Sequence, residues 1–169
     1  MKKIFYTNKS AFASSAEALS VIFTHYLQID DVIIEKTSNG KPFCKQSPTP
    51  LFFSVTHTKQ MLFIAFSDCE IGIDAELTTR KISPSVLKKL QTDNDTDGLR
   101  LWTIKESAVK WLGGTIARDF KKLRYENGNV FYNNAPLPVL VTHFEKEGHL
   151  LSVCCEHNFE NAEWIPLST

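Results

Sequence analysis

Apolar residues first recur at helical spacing over 15–28, where Leu19, Ile22, Phe23, Tyr26 and Leu27 share one face. Ser14 and Glu17, just ahead of them, have the spacing of a capping box. Residues 3–6 alternate weakly, as a strand would, and the β-branched run Val32-Ile33-Ile34 predicts a short strand. Ser38-Asn39-Gly40 signals a turn, and 43–50, with Pro48 and Pro50, reads as a loop. Three strands are predicted over 51–55, 61–67 and 70–77. The middle one is continuously apolar, which fits burial on both faces.

Ser83-Pro84 reads as an N-cap followed by proline at the first helical position, so a helix is expected over about 84–91. The polar run 93–98 reads as a break, and a second helix runs over 99–112 until Gly113-Gly114 stops it. Asn127-Gly128 sits between two alternating runs and predicts a hairpin. Two further strands, 138–144 and 149–156, are joined by Lys146-Glu147-Gly148. The order is helix, strands, two helices, strands, which is an α+β pattern. Each half carries a helix followed by strands, and the polar break places a boundary between 1–97 and 98–169.

Composition narrows the function classes. The chain has 169 residues with 19 Lys+Arg and 19 Asp+Glu, so its net charge is zero. That argues against a nucleic-acid binder acting through a broadly basic surface. An apolar fraction of 43% excludes intrinsic disorder. No uncharged apolar stretch reaches membrane-spanning length, and Met-Lys-Lys-Ile-Phe-Tyr does not open a signal peptide. Twelve Phe residues imply an aromatic core. Cys44, Cys69, Cys154 and Cys155 form no C-x-x-C pair and read as reduced thiols of a cytoplasmic protein. Cys154 and Cys155 would point to opposite faces of a strand.

Four short segments carry candidate chemistry. In Gly72-Ile73-Asp74-Ala75-Glu76, both acids lie on one face of a strand beside Gly72, which leaves open space. Such a pair suits Mg²⁺, a hard cation that takes oxygen ligands, or else it is two solvated acids. In Trp102-Thr103-Ile104-Lys105-Glu106-Ser107-Ala108-Val109-Lys110, residues Trp102, Glu106 and Lys110 share a helix face. Glu106 and Lys110 can equally form a plain surface ion pair. In Thr56-His57-Thr58, a histidine between hydroxyls can donate to phosphate. Asn39-Gly40-Lys41-Pro42 is a Gly-Lys turn without the spacing of a P-loop. His25, His143, His149 and His157 show no metal-ligand spacing.

Taken in order, the four segments resemble the 4′-phosphopantetheinyl transferase family. The carrying motifs are Gly40-Lys41-Pro42, Thr56-His57-Thr58, Gly72-Ile73-Asp74-Ala75-Glu76 and Trp102 through Lys110, covering residues 39–114. The strand Leu150–Cys155 also looks like the family's closing strand. The resemblance implies two similar α+β lobes related by a pseudo-twofold, with the site between them. It implies a compact, monomeric type like the surfactin-synthetase-activating enzymes. It also implies transfer of phosphopantetheine from coenzyme A to a serine of an acyl or peptidyl carrier protein, releasing adenosine 3′,5′-bisphosphate. On that basis Asp74, Glu76 and Glu106 would hold Mg²⁺, and Glu106 would serve as base, directly or through a metal-bound water. Lys110 would reach the phosphates. Thr56 and His57 would bind the nucleotide phosphates, and Gly40, Lys41 and Pro42 would line the nucleotide pocket. Trp102 would orient the helix by packing.

The chain departs from the family pattern in places. Thr56 replaces a serine and Ala75 a bulkier aliphatic. Only Lys2, Lys3 and Lys9 precede the first helix, where larger relatives have a longer basic segment that grips coenzyme A. Two other functions are compatible with these residues. One is a relative that binds coenzyme A or a carrier without turnover; the other is an unrelated Mg²⁺-dependent phosphohydrolase.

Overall fold

A computed structural model describes residues 1–45 and 50–168, so half of the segment read as a loop, 46–49 with Pro48, lies outside the described residues. Strand β1 (Lys2–Asn8) leads into α1 (Ser15–Val21), which continues as a wider π-type turn over Ile22–Tyr26. Then come β2 (Ile34–Lys36), β3 (Pro42–Cys44), β4 (Phe52–His57), β5 (Met61–Ser67) and β6 (Ile71–Leu77). Helices α2 (Pro84–Leu90), α3 (Asp95–Trp111) and the short α4 (Ile116–Asp119) follow. The chain ends in β7 (Leu123–Glu126), β8 (Asn129–Tyr132), β9 (Ala135–Pro136), β10 (Leu140–Lys146), β11 (His149–Cys155) and β12 (Glu163–Pro166). This is a mixed α+β fold with several sheets.

Local signals explain most of these elements. Ser14 Oγ accepts from the Glu17 amide, and Glu17 returns a carboxylate to the Ala13 amide, which fastens the start of α1. Asn127 and Gly128 both have positive φ, 49° and 82°, as a two-residue hairpin turn requires. The break between the two helices is confined to 91–94, and α3 starts at Asp95 rather than at 99. Asn94 caps α3 by accepting from the Asp97 amide, and Asp95 and Asp97 sit in the first turn, where the helix dipole favours acids. The predicted strand at 32–34 begins only at Ile34, and Pro42–Cys44 pairs with it rather than forming a loop.

The larger sheet runs β12-β1-β5-β4, and a three-stranded sheet runs β10-β11-β6. Strand β5 is apolar from Met61 to Phe66 because it serves two cores. Leu62, Ile64 and Phe66 join Phe5, Phe23 and Phe53, whose rings pack edge-to-face and stacked. Phe63 and Ala65 join Ile71, Ile73, Leu151 and Phe159. On β6, Ile71, Ile73 and Ala75 enter this second core. Strand alternation therefore turns Gly72, Asp74 and Glu76 to the other face. Helix α3 covers that face, so two segments about thirty residues apart in sequence meet. Cys154 and Cys155 split as alternation predicts. Cys154 faces α3, 3.1 Å from Ser107 Oγ, and Cys155 lies in the β5–β6 core.

Candidate active site

Gly72 sets the distance between strand and helix. A Cβ there would lie 1.9 Å from the Ser107 carbonyl oxygen and 2.5 Å from the Trp111 nitrogen. The space that glycine leaves is thus not open; the backbone of α3 fills it. That close approach brings Glu106 and Lys110 over Asp74 and Glu76.

Asp74 is the centre of the arrangement, only 3% exposed. Its Oδ1 accepts from Lys110 Nζ at 2.8 Å and from Thr56 Oγ1 at 3.1 Å. Lys110 also donates to the Ile73 carbonyl at 2.9 Å. Asp74 Oδ2 is buried and has no hydrogen-bond partner among the described residues. A buried carboxylate oxygen left unpaired is costly and calls for a positively charged ligand.

Glu76 is half-buried and paired with Arg80 one helical-turn spacing along the chain. Its pKa is raised, first by burial and then by the charge of Asp74, against the pull of Arg80. Glu106 is pushed further, up to about 8, by burial first and next by Asp74, with Lys110 opposing. The charge of Asp74 raises the proton affinity of both glutamates, a crowding of acids that a cation relieves. Oxygen-only donors of this kind fit Mg²⁺, and the orphaned Asp74 Oδ2 supplies a ligand atom with nothing else to do. The structure thus brings Asp74, Glu76, Glu106 and Lys110 together.

The other expected residues are placed differently. The Thr56 hydroxyl is buried and committed to Asp74, so it orients a carboxylate. His57, one residue on, is exposed and borders a cavity of about 660 Å³ beside Glu76. Lys9, Lys59 and Arg80 border the same cavity. Lys59 and Arg80 belong to no motif in the sequence, and Lys9 stands there only among the few basic residues ahead of the first helix. Arg80 and Lys59 are visible as close neighbours of Glu76 and His57, but Lys9 joins them only through the register of β1 on β5, where its amide bonds the Gln60 carbonyl at 2.8 Å. Arg80 also borders a second cavity, of about 580 Å³, lined by Lys81, Asp95, Asp97, Arg100 and Glu145.

Lys41 does not reach the carboxylates. Its amine pairs with Glu70 and donates to the carbonyls of Ile71 and Trp111, both at 3.3 Å. Asn39 Nδ2 adds a 2.8 Å bond to the Gly113 carbonyl. The turn containing Gly40 and leading to Pro42 is thereby docked on the end of α3, at the end of β6 away from Glu76. Trp102 packs on Phe120 at 5.0 Å between ring centres, and Arg80 lies 5.4 Å over its ring.

His149 has no spacing that singles it out in the sequence. It is fully buried beneath Phe63. Thr58 Oγ1 accepts from the amides of Gln60 and Met61, so its own proton goes to His149 Nε2 at 3.0 Å. Nδ1 then donates to the Glu147 carbonyl at 2.7 Å. This chain of bonds fixes the turn that follows His57.

No protein-family model matches the chain. Among the described residues, no helix is long and apolar enough to cross a membrane. The chain is similar to the 4′-phosphopantetheinyl transferase pptA of Paxillus involutus, 25% identical over 130 residues that take in 57% of this chain and 49% of that protein. It spans about half the length of the curated relative it matches. This likeness supports the superfamily that the motifs resemble.

Proposed function

We propose that this protein transfers 4′-phosphopantetheine from coenzyme A to a serine of an acyl or peptidyl carrier protein, in a Mg²⁺-dependent reaction that releases adenosine 3′,5′-bisphosphate. The observation that carries the reading is the clustering of Asp74, Glu76, Glu106 and Lys110, with Asp74 Oδ2 buried and unpaired. The reading includes a two-lobed monomer acting in the cytoplasm.

Asp74, Glu76 and Glu106 would hold the magnesium ion, which when bound offsets the charge of the pyrophosphate and polarises its oxygens. Lys9, His57, Lys59 and Arg80 would bind the phosphates of coenzyme A in the cavity they border. The serine hydroxyl attacks the β-phosphorus, and the bond from that phosphorus to the oxygen of the bisphosphate breaks. Glu106 takes the serine proton, directly or through a water. Lys110 leans from Asp74 toward the phosphoryl oxygens as charge grows there.

An apo carrier protein incubated with the chain, coenzyme A and Mg²⁺ should gain the mass of one phosphopantetheine. Glu106→Ala should abolish the gain while leaving the protein folded. Binding of coenzyme A with no gain on fatty-acid, polyketide or peptidyl carriers would overturn the proposal.

A further inference from the structure

Beyond the carboxylate centre, a second group of ligand-type side chains gathers at the opposite end of β6. Asp68 and Cys69 lie in the turn between β5 and β6, Cys155 ends β11, and His157 follows it. One ligand atom each from Asp68, Cys69 and His157 lies within 4.8 Å of the others. Cys155 Sγ is 3.3 Å from Cys69 Sγ. In a tetrahedral zinc site, two thiolates stand about 3.8 Å apart, since each Zn–S bond is about 2.3 Å. Cys69 and Cys155 need move apart by only about 0.5 Å to reach that spacing.

The surroundings suit a metal-bound thiolate pair. Ser67, 1% exposed, has its hydroxyl 3.5 Å from Cys69 Sγ and 3.6 Å from Cys155 Sγ. A buried hydroxyl between two sulfurs is placed to donate to whichever is ionised. Asp68 Oδ2 accepts from the Met1 amine at 2.8 Å. Cys155 is fully buried, while Cys69 is partly exposed and Asp68 and His157 are exposed, which leaves a path for an ion.

We propose that Cys69, Cys155, His157 and Asp68 form a zinc site that ties the β5–β6 turn to the end of β11. Soft thiolates and imidazole select zinc over magnesium, so this site and the all-oxygen centre take different metals. Binding releases the two thiol protons to solvent, and the thiolates and the Asp68 carboxylate offset the charge of the ion. Cys155 faces Ile71 in the β11–β6 register, and Ser152 faces Asp74. The zinc therefore sits about 10 Å along the sheet from the candidate active site. Its role is to brace β6 and β11, not to act on substrate.

The purified full chain, kept reduced with a phosphine, is dialysed against Zn²⁺ and, separately, Co²⁺. One equivalent of metal should bind, and the cobalt form should show the thiolate-to-metal absorption of a tetrahedral site. Cys69→Ser and His157→Ala should each weaken binding by about tenfold or more. Cys44→Ser and Glu106→Ala should leave it unchanged, which separates this site from the magnesium reading. Zinc should also raise the melting temperature of the parent protein but not of Cys69→Ser. A cobalt form without thiolate absorption, or equal binding by Cys69→Ser, would overturn the proposal.

Discussion

Lys110 Nζ donates to Asp74 Oδ1 at 2.8 Å, across from helix to strand, and does not pair with Glu106 one turn back on its own helix. The i,i+4 spacing of Glu106 and Lys110 permits an ordinary surface pair. The buried Asp74 carboxylate takes the cation because its need is greater: water cannot solvate it, and its second oxygen has no donor.

Removing that cation should therefore be costly to the fold as well as to activity. Lys110→Ala strands Asp74 and should destabilise the protein by about 2 kcal/mol, less than for a fully buried pair because Lys110 is partly exposed. The double variant Lys110→Ala with Asp74→Asn should recover much of the loss in urea unfolding. Equal instability of single and double variants would show that Lys110 acts by packing alone.

Protonation of Glu106 links pH to stability. Its folded pKa of about 8 lies above the ordinary 4.5, so the folded state holds that proton more tightly than the unfolded chain. The resulting stabilisation is complete below 4.5 and is lost as pH rises through about 8. In a chelator, the melting temperature should fall across this window. Glu106→Gln, which cannot ionise, should flatten the fall and be the more stable protein at its upper end. Added Mg²⁺ should restore the parent at high pH and do little for the Gln variant.

Gly72→Ala tests the contact that assembles the site. The new methyl would collide with backbone, not with a movable side chain, so α3 must shift. A loss of about 3 kcal/mol or more is expected, with transfer activity lost beyond what the residual folded fraction explains. A thermally unperturbed Gly72→Ala protein would contradict the close strand–helix approach.

The cavity cations should act on coenzyme A in particular. Lys59→Ala or Arg80→Ala should raise KM for coenzyme A by about tenfold, and the effect should shrink as salt is raised. Arg80→Ala also frees Glu76, so it should lower kcat in addition, whereas Lys59→Ala should not. Steady-state kinetics at two ionic strengths distinguishes the two.

Much of this was legible from periodicity and turn chemistry. The Ser14–Glu17 box, the Pro84 start of α2, the Asn127-Gly128 hairpin and the doubly buried β5 all follow from local rules. The same-face placement of Asp74 and Glu76 follows from strand alternation. What the sequence hid depends on pairing between distant segments. The polar run before α3 looked like a linker because capping residues and linker residues are the same types. Strand β12 is short, and only its partner makes it a strand. Lys9 reaches the cavity through sheet register, and Lys41 turns to Glu70 because a distant helix end lies beside it.

The sheet orders also constrain how the chain comes to be folded. Strand β6, from the first half of the sequence, is laddered to β11, and β12 returns to lie parallel to β1. Neither half can satisfy its own edges, so the halves should not persist as separable pieces. Pairings that span about 160 residues close slowly, because the entropy of a long loop must be lost before its contacts form. On the ribosome, Lys3 to Tyr6 must wait until Glu163 to Pro166 has emerged before that edge of the sheet is complete. Until then the apolar strand Met61–Ser67 depends on its earlier neighbours, β1 and β4, for cover.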